Sequence, residues 1–408
     1  MNWVQRINPA WFLAGAAFFL PIKPAPVNLF ILLALVFTYL KPESWRLLAG
    51  IARRTSTLVL MALVVFLLIT FMYGTNDPSL YSDFLSKYGR LLLIPLLIPA
   101  FHSAQDRLLV GQAFLASMAI TLTLSYMVWL QVDLVAFGVV SDGEYAISSN
   151  PTVFKKHITH NFFMAIALYF WLLALGCRVK EGRYCQPKNL VWVIIYAVLV
   201  VAAFINLFAM VDGRTGWVVF GVIPLVFGIQ RFGLKGLVAG AAATLIILGT
   251  AYFTVDNVQQ RIDKGIQEVS DFRTGEDQKS SVGERMMLQI SGGQAFADAP
   301  LLGHGIGGVR NAVAPYASEF GAEPFQNPHN QYLLLLIQGG ILGLGLYLAF
   351  ILLVIRGSYA NEWSALHIAP VLLMFVVGNF LNSFHYDFSE SIAFILLISA
   401  LGYSSNHA

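Results

Sequence analysis

The chain has little charge and almost no cysteine: 12% of its 408 residues are Asp, Glu, Lys or Arg, and only two are Cys. It contains no GxxxxGK[ST] loop to cradle nucleotide phosphates, so direct consumption of ATP is not expected. It has no Cys/His metal spacing, and the segments assigned below to the outer face have no Asp-x-Asp pair to hold a divalent ion against a pyrophosphate. Neither a metal nor another cofactor is therefore expected. No internal repeat joins the two halves, which weakens a transporter built from symmetric bundles. A net charge of +3 without a basic stripe gives no reason to expect a nucleic-acid partner.

What the chain does have is apolar sequence. Hydrophobic residues make up 57% and the mean hydropathy is +0.69, the composition of an all-α polytopic membrane protein. A crossing helix needs about 20 apolar residues, fewer where a neighbour shelters its end, and on that basis about twelve spans are predicted. They start near Trp11, Val27, Thr57, Arg90, Leu108, Ile158, Leu190, Arg214, Leu234, Gly340, Leu366 and Ser389. Arg6 precedes an apolar stretch as in a signal peptide, but Lys23-Pro24-Ala25-Pro26 leads straight into the next span, so the segment reads as retained.

The expected organisation is nine spans over residues 1–253, a catalytic segment over 254–338 and three spans over 339–408. Lys41, Arg46, Arg53 and Arg54 fall between spans two and three, and Arg178, Lys180, Arg183 and Lys188 between spans six and seven. The positive-inside rule makes both loops cytoplasmic, and both termini with them. Cys177 and Cys185 share the second loop, where thiols stay reduced and no disulfide is implied.

This topology sends Gln131 to His157, the turn Val211 to Arg214, the segment Thr254 to Pro328 and the turn Phe384 to Phe388 to one outer face. The third is too long for a plain connection and should carry helices of its own. From Thr254 to Gln338 it has ten acidic and six basic residues. At its end stands Asn327-Pro328-His329-Asn330-Gln331-Tyr332. Asn327 suits an N-cap and Pro328 the first helical position, which would put His329 in the first turn, a natural anion site. The helix dipole there disfavours imidazolium, leaving a base able to accept a proton.

Arg214 opens a span, where a cation opposes the dipole and enters the membrane, so an anionic partner is expected. Pairing with Asp212 or snorkelling is the plain alternative. Lys155, Lys156 and His157 with His160 form a cationic cluster at the outer end of span six, fit for phosphate or for lipid anchoring. Arg285, in Gly283-Glu284-Arg285, precedes an amphipathic helix through Met286, Met287, Ile290 and Phe296. Pro300-Leu301-Leu302-Gly303-His304-Gly305 reads as a helix stop and glycine turn, with no role assigned to His304. Most charges lie at span ends, with Asn206, Asn379 and Asn382 deeper.

The order Gly213-Arg214-Thr215-Gly216, Gly283-Glu284-Arg285, Pro300 to Gly305, then His329-Asn330-Gln331-Tyr332 with Gly339-Gly340-Ile341-Leu342-Gly343 resembles the O-antigen ligase superfamily of bacterial inner-membrane glycosyltransferases. The likeness covers Asp212 to Ile355 and departs at Met286 and Met287, where the family often has an aromatic residue. It implies a metal-independent, inverting transfer of O-antigen glycan from undecaprenyl pyrophosphate to a sugar hydroxyl of lipid A-core. The chemistry would take place on the periplasmic side of the Gram-negative inner membrane, among membrane lipids. In that reading His329 is the catalytic base and Arg214 and Arg285 bind the pyrophosphate, with Lys155, Lys156 and His160 as additional anion-binding candidates. Ligase, O-antigen polymerase and protein O-oligosaccharyltransferase share the signature. The short sequence after Gly402 argues against a protein acceptor, and a match of Arg310 and Gly321 to an Arg-x10-Gly pattern is expected about once by chance. A transporter of lipid-linked anions is the alternative from another class.

Overall fold

The computed structural model describes residues 6–74, 79–136, 138, 147–180, 187–277, 279–360 and 362–404. Arg183 and Cys185, and the side chains of Lys180 and Lys188, lie outside the described residues. Among the described residues the secondary structure is helical, with one isolated β-bridge, Ile147 to Asn150, and no strand. Among the described residues six helices are long and apolar enough to cross a bilayer: Thr55–Gly74, Ala104–Trp129, His157–Val179, Asn189–Met210, Arg214–Thr254 and Gln331–Ser358. A seventh is counted if Pro24–Tyr39 and Pro42–Ala52, bent by 102°, form one span.

The other predicted starts fall on the shorter apolar helices Ala10–Phe19, Gly89–Ala100, Glu362–Gly378 and Phe388–Gly402, and on the second half of Arg214–Thr254, which turns at Gly233 (φ 60°, ψ −142°). Ten helical residues rise only about 15 Å, half a hydrocarbon core, which is why apolar character and length disagree on the count. Among the described residues six helices, or seven with the bent pair, have the length and hydropathy of a crossing, against the twelve expected.

The chain forms two compact units, one from Met1–Pro9, Leu32–Ala104 and Asp263–Ala408, the other from Ala10–Ile31 and Gln105–Ile262. In the first, Thr55–Ile69 packs along Gln331–Ser358. The latter helix starts nine residues before the predicted Gly340 and breaks there instead (φ 59°, ψ −159°). The break interrupts the helical ladder, and the turn Pro300 to Gly305 takes up backbone groups on both sides of it. Ile341 N–H donates to the Pro300 carbonyl (2.8 Å), His304 N–H to Ile337 (2.7 Å) and Gly305 N–H to Gln338 (2.9 Å). A Cβ on Gly303 would stand 2.6 Å from the Gln338 carbonyl carbon, and one on Gly340 2.3 Å from the Leu301 oxygen. The two glycine motifs are therefore halves of one joint.

Within the same unit Ser281–Asp298 and Val309–Ser318 pack together, and Phe272, Met287, Leu288 and Ala317 make a buried cluster, with Met286 against it. In the second unit His157–Lys180 packs against Pro187–Ile205 and Arg214–Thr254. The start of the last is braced by Trp217, which stacks on Phe208 (6.2 Å between centroids) and donates to the Leu207 carbonyl (2.8 Å).

Candidate active site

The helix that carries the His329 segment begins later than its sequence suggests. Asn330, not Asn327, is the N-cap: its Oδ1 accepts from Tyr332 N–H (3.0 Å) and Leu333 N–H (3.2 Å). The Asn327 carboxamide is already used, accepting from His329 N–H (3.0 Å) and the Ser383 hydroxyl (2.7 Å). The helix start is also held from outside. Gln289 donates to the Pro328 carbonyl (2.9 Å) and accepts from Asn330 Nδ2 (3.0 Å), while Gln331 N–H donates to the Asn379 carbonyl (2.8 Å). His329 thus lies just before the N-cap rather than in the first turn, with φ +52°. That left-handed backbone costs a non-glycine residue about 1–3 kcal/mol and persists because both flanks are pinned.

This conformation leaves His329 exposed and turns its Nδ1 to Asn382 Oδ1 at 2.9 Å. Asn382, buried at 5% exposure, donates through Nδ2 to Asp387 Oδ2 at 3.1 Å. The chain of bonds has a direction. A carboxylate only accepts, so the Asn382 amino group faces Asp387 and its oxygen faces the imidazole. Nδ1 must then carry the proton, and Nε2 keeps the lone pair. Burial pushes the Asp387 carboxyl above its ordinary value, against the pull of His329, Lys87 and Arg90 and of the Asn382 bond. Arg90 also donates to the Asp387 backbone carbonyl (3.4 Å). Behind it, Asp83 accepts from Lys87 (2.7 Å) and from the Tyr386 hydroxyl (3.1 Å), with the Lys87 ammonium 3.3 Å from the Tyr386 ring centre.

Two other histidines of this unit are occupied differently. His304 donates from Nε2 to the Ala295 carbonyl (2.6 Å) and so fastens the glycine turn. His385 is fully buried, with Nε2 2.7 Å from the Tyr347 hydroxyl, and burial holds its pKa down to about 3. Arg285 stands four residues before Gln289 on Ser281–Asp298, so it shares the face that grips the His329 turn.

Arg214 belongs to the other unit. It is half-buried at the first position of its helix, after Gly213 as N-cap. Asp212, two residues before it, pairs with Arg261. His160 does not join a surface cation cluster: it is buried, with Nε2 2.9 Å from Asn206 Oδ1, and Asn206 in turn donates to the Ser125 hydroxyl (2.8 Å). Lys155 is half-buried and Lys156 exposed. His160 is held inward by that bond to Asn206, itself fully buried on the neighbouring helical segment Asn206–Met210.

Asn161, which the sequence reading passed over, shapes the Arg214 turn. Its Nδ2 donates to the Gly213 carbonyl (3.3 Å) and lies within 3.5 Å of that of Val211. A Cβ on Gly213 would stand 2.1 Å from that nitrogen, and one on Gly216 2.7 Å from Asn161 Cβ. Gly213→Ala is expected to destabilise the protein by about 1–3 kcal/mol through overpacking. Adding Asn161→Ala should return part of that loss, because the two changes meet at one contact. Thermal unfolding of the single and double variants in detergent checks this; additive losses would remove Asn161 as the reason for the glycine.

Asn382 and Asp387 were also missed as partners of His329, since each pairs across more than fifty residues of sequence or through a turn. Their only sequence signal was that the turn Phe384 to Phe388 falls on the same expected face as His329. No curated protein matches the chain. The family model described as O-antigen ligase (Wzy_C) matches residues 197–348, a stretch that holds Arg214, Arg285 and His329 and stops short of Asn382 and Asp387. Over those residues the chain is similar to the O-antigen ligase family, and the matched stretch takes in Arg214–Thr254 and the first part of Gln331–Ser358, two of the helices long and apolar enough to cross a bilayer.

Proposed function

We propose that the protein is an O-antigen ligase of the Gram-negative inner membrane, moving glycan from undecaprenyl pyrophosphate to a lipid A-core hydroxyl on the periplasmic face. The observation that carries this reading is the His329–Asn382–Asp387 chain, which leaves an exposed imidazole with its lone pair outward. A sugar hydroxyl is a poor nucleophile at neutral pH. Nε2 takes its proton as the oxygen attacks the anomeric carbon, and the bond from that carbon to the pyrophosphate oxygen breaks. Attack and departure on opposite sides invert the centre. The proton rests on the imidazolium, which Asn382 and Asp387 hold in place, and undecaprenyl pyrophosphate leaves with its added charge. Arg285 and Arg214, each suited to two-point phosphate contact, are the proposed stabilisers of that charge.

Deleting the gene should leave lipid A-core uncapped while polymerised, lipid-linked O-antigen accumulates. Lipopolysaccharide and lipid-linked glycan profiles check this. Cores capped by single repeat units would instead identify a polymerase and overturn the ligase reading. Purified protein is expected to transfer in excess EDTA without ATP; restoration of an EDTA-silenced reaction by a divalent ion would replace the arginine account.

A further inference from the structure

In the unit that holds His329, a cavity of about 270 Å³ lies among Leu60, Ile98, Phe350, Val354 and Leu401, with Arg54 at its polar end. That is the space of roughly nine liquid water molecules, yet most of the wall is aliphatic or aromatic, so water has few partners inside. The polar residues of the lining are Arg54, Thr55, Ser56 and Thr57, and none is acidic. Cavity and cation therefore describe an amphiphile: an apolar tail joined to an anionic head.

The polar end is built for such a head. Arg54 is the N-cap of Thr55–Ile69 and has extended backbone (φ −68°, ψ 141°), with no capping bond from its side chain. Its Nη1 donates to the Gly402 carbonyl (3.0 Å), which fixes the guanidinium beside the cavity wall. A guanidinium has five donors, so holding Gly402 and binding a phosphate are compatible. The first-turn amides of Thr55–Ile69 add donors and the positive end of the helix dipole. Arg53 and Arg46, both exposed, raise the local positive potential.

We propose that this cavity is a binding site for one anionic phospholipid, with an acyl chain between Leu60, Phe350 and Val354 and the phosphodiester at Arg54. The site is independent of the transferase reading, and its test does not use transfer.

The full-length protein, stripped of lipid in detergent, is mixed with phosphatidylglycerol or phosphatidylethanolamine and observed by native mass spectrometry. One phosphatidylglycerol should survive activation that removes phosphatidylethanolamine. Arg54→Gln should lower the retained fraction about tenfold, the loss of one charge-assisted contact. Gly357→Leu is the second variant: a Cβ there meets only Leu401 Cδ2, at 4.0 Å, so the residue is accommodated and its side chain fills the groove. It should abolish the adduct with Arg54 intact. Arg46→Gln should leave the adduct unchanged. Equal retention of phosphatidylethanolamine, an undiminished adduct in Gly357→Leu, or equal damage from Arg46→Gln would overturn the site. So would displacement of phosphatidylglycerol by equimolar undecaprenyl phosphate, which would assign the cavity to a prenyl chain.

Discussion

His329→Ala is expected to lower glycan transfer by about 10²–10⁴-fold, the usual weight of a positioned general base. The protein should still fold and insert, because the helix start is capped by Asn330 and held by Gln289, neither of which depends on the imidazole. Alanine at φ +52° keeps the backbone strain of histidine, so the variant isolates the loss of the ring. His304 and His385 cannot substitute, one being bound to Ala295 and the other buried against Tyr347. Transfer from purified lipid-linked donor to lipid A-core, with thermal unfolding as the folding control, measures both parts. Near wild-type turnover in a folded variant would remove His329 from the chemistry.

Asp387→Asn is expected to cost up to about 10⁴-fold, the scale reached when the orienting carboxylate of a catalytic triad becomes an amide. An asparagine at 387 can offer its own amino group, which lets Asn382 rotate and present N–H to Nδ1. The imidazole then takes the opposite tautomer, with the proton on Nε2 where the acceptor hydroxyl needs a base. The pH dependence follows in sign. Burial raises the Asp387 carboxyl above its ordinary value, so transfer in the unaltered protein should fall as pH drops through that raised value, and this contribution to the acid limb should vanish in Asp387→Asn. Profiles of kcat/KM against pH decide the matter. An unchanged acid limb together with unchanged turnover would mean that Asp387 does not orient the base.

The sequence made the membrane character plain, since length and hydropathy act locally and need no partner. It also marked His329 and Arg285 as residues to watch; Gln289 holds the carbonyl of Pro328, the residue before His329, and Arg285 precedes Gln289 by four residues on the same helix. The cap was misread for an instructive reason. Asn327 and Asn330 are equally good caps by residue type, and the choice between them is made by Ser383, Gln289 and Asn379, which lie far along the chain. Asn382 likewise reads locally as one of a few polar residues deeper in the spans. Only folding reveals that it lies between an imidazole and a carboxylate. Asp83 and Lys87 gave no sign of standing behind Tyr386 until the helices were assembled.

The break at Gly340 gives the nine helical residues before it the character of a spacer. Gln331 to Gly339 rise about 13 Å, and each residue turns the helix by about 100°. The joint with Pro300 to Gly305 clamps one end, and His329 sits beyond the other. Spacer length therefore sets both the height and the bearing of the imidazole. One inserted residue would lift it by about 1.5 Å and swing it away from Asn382 by roughly a quarter turn. Drift in the length of this spacer would thus remove the base from register without altering any residue that touches it.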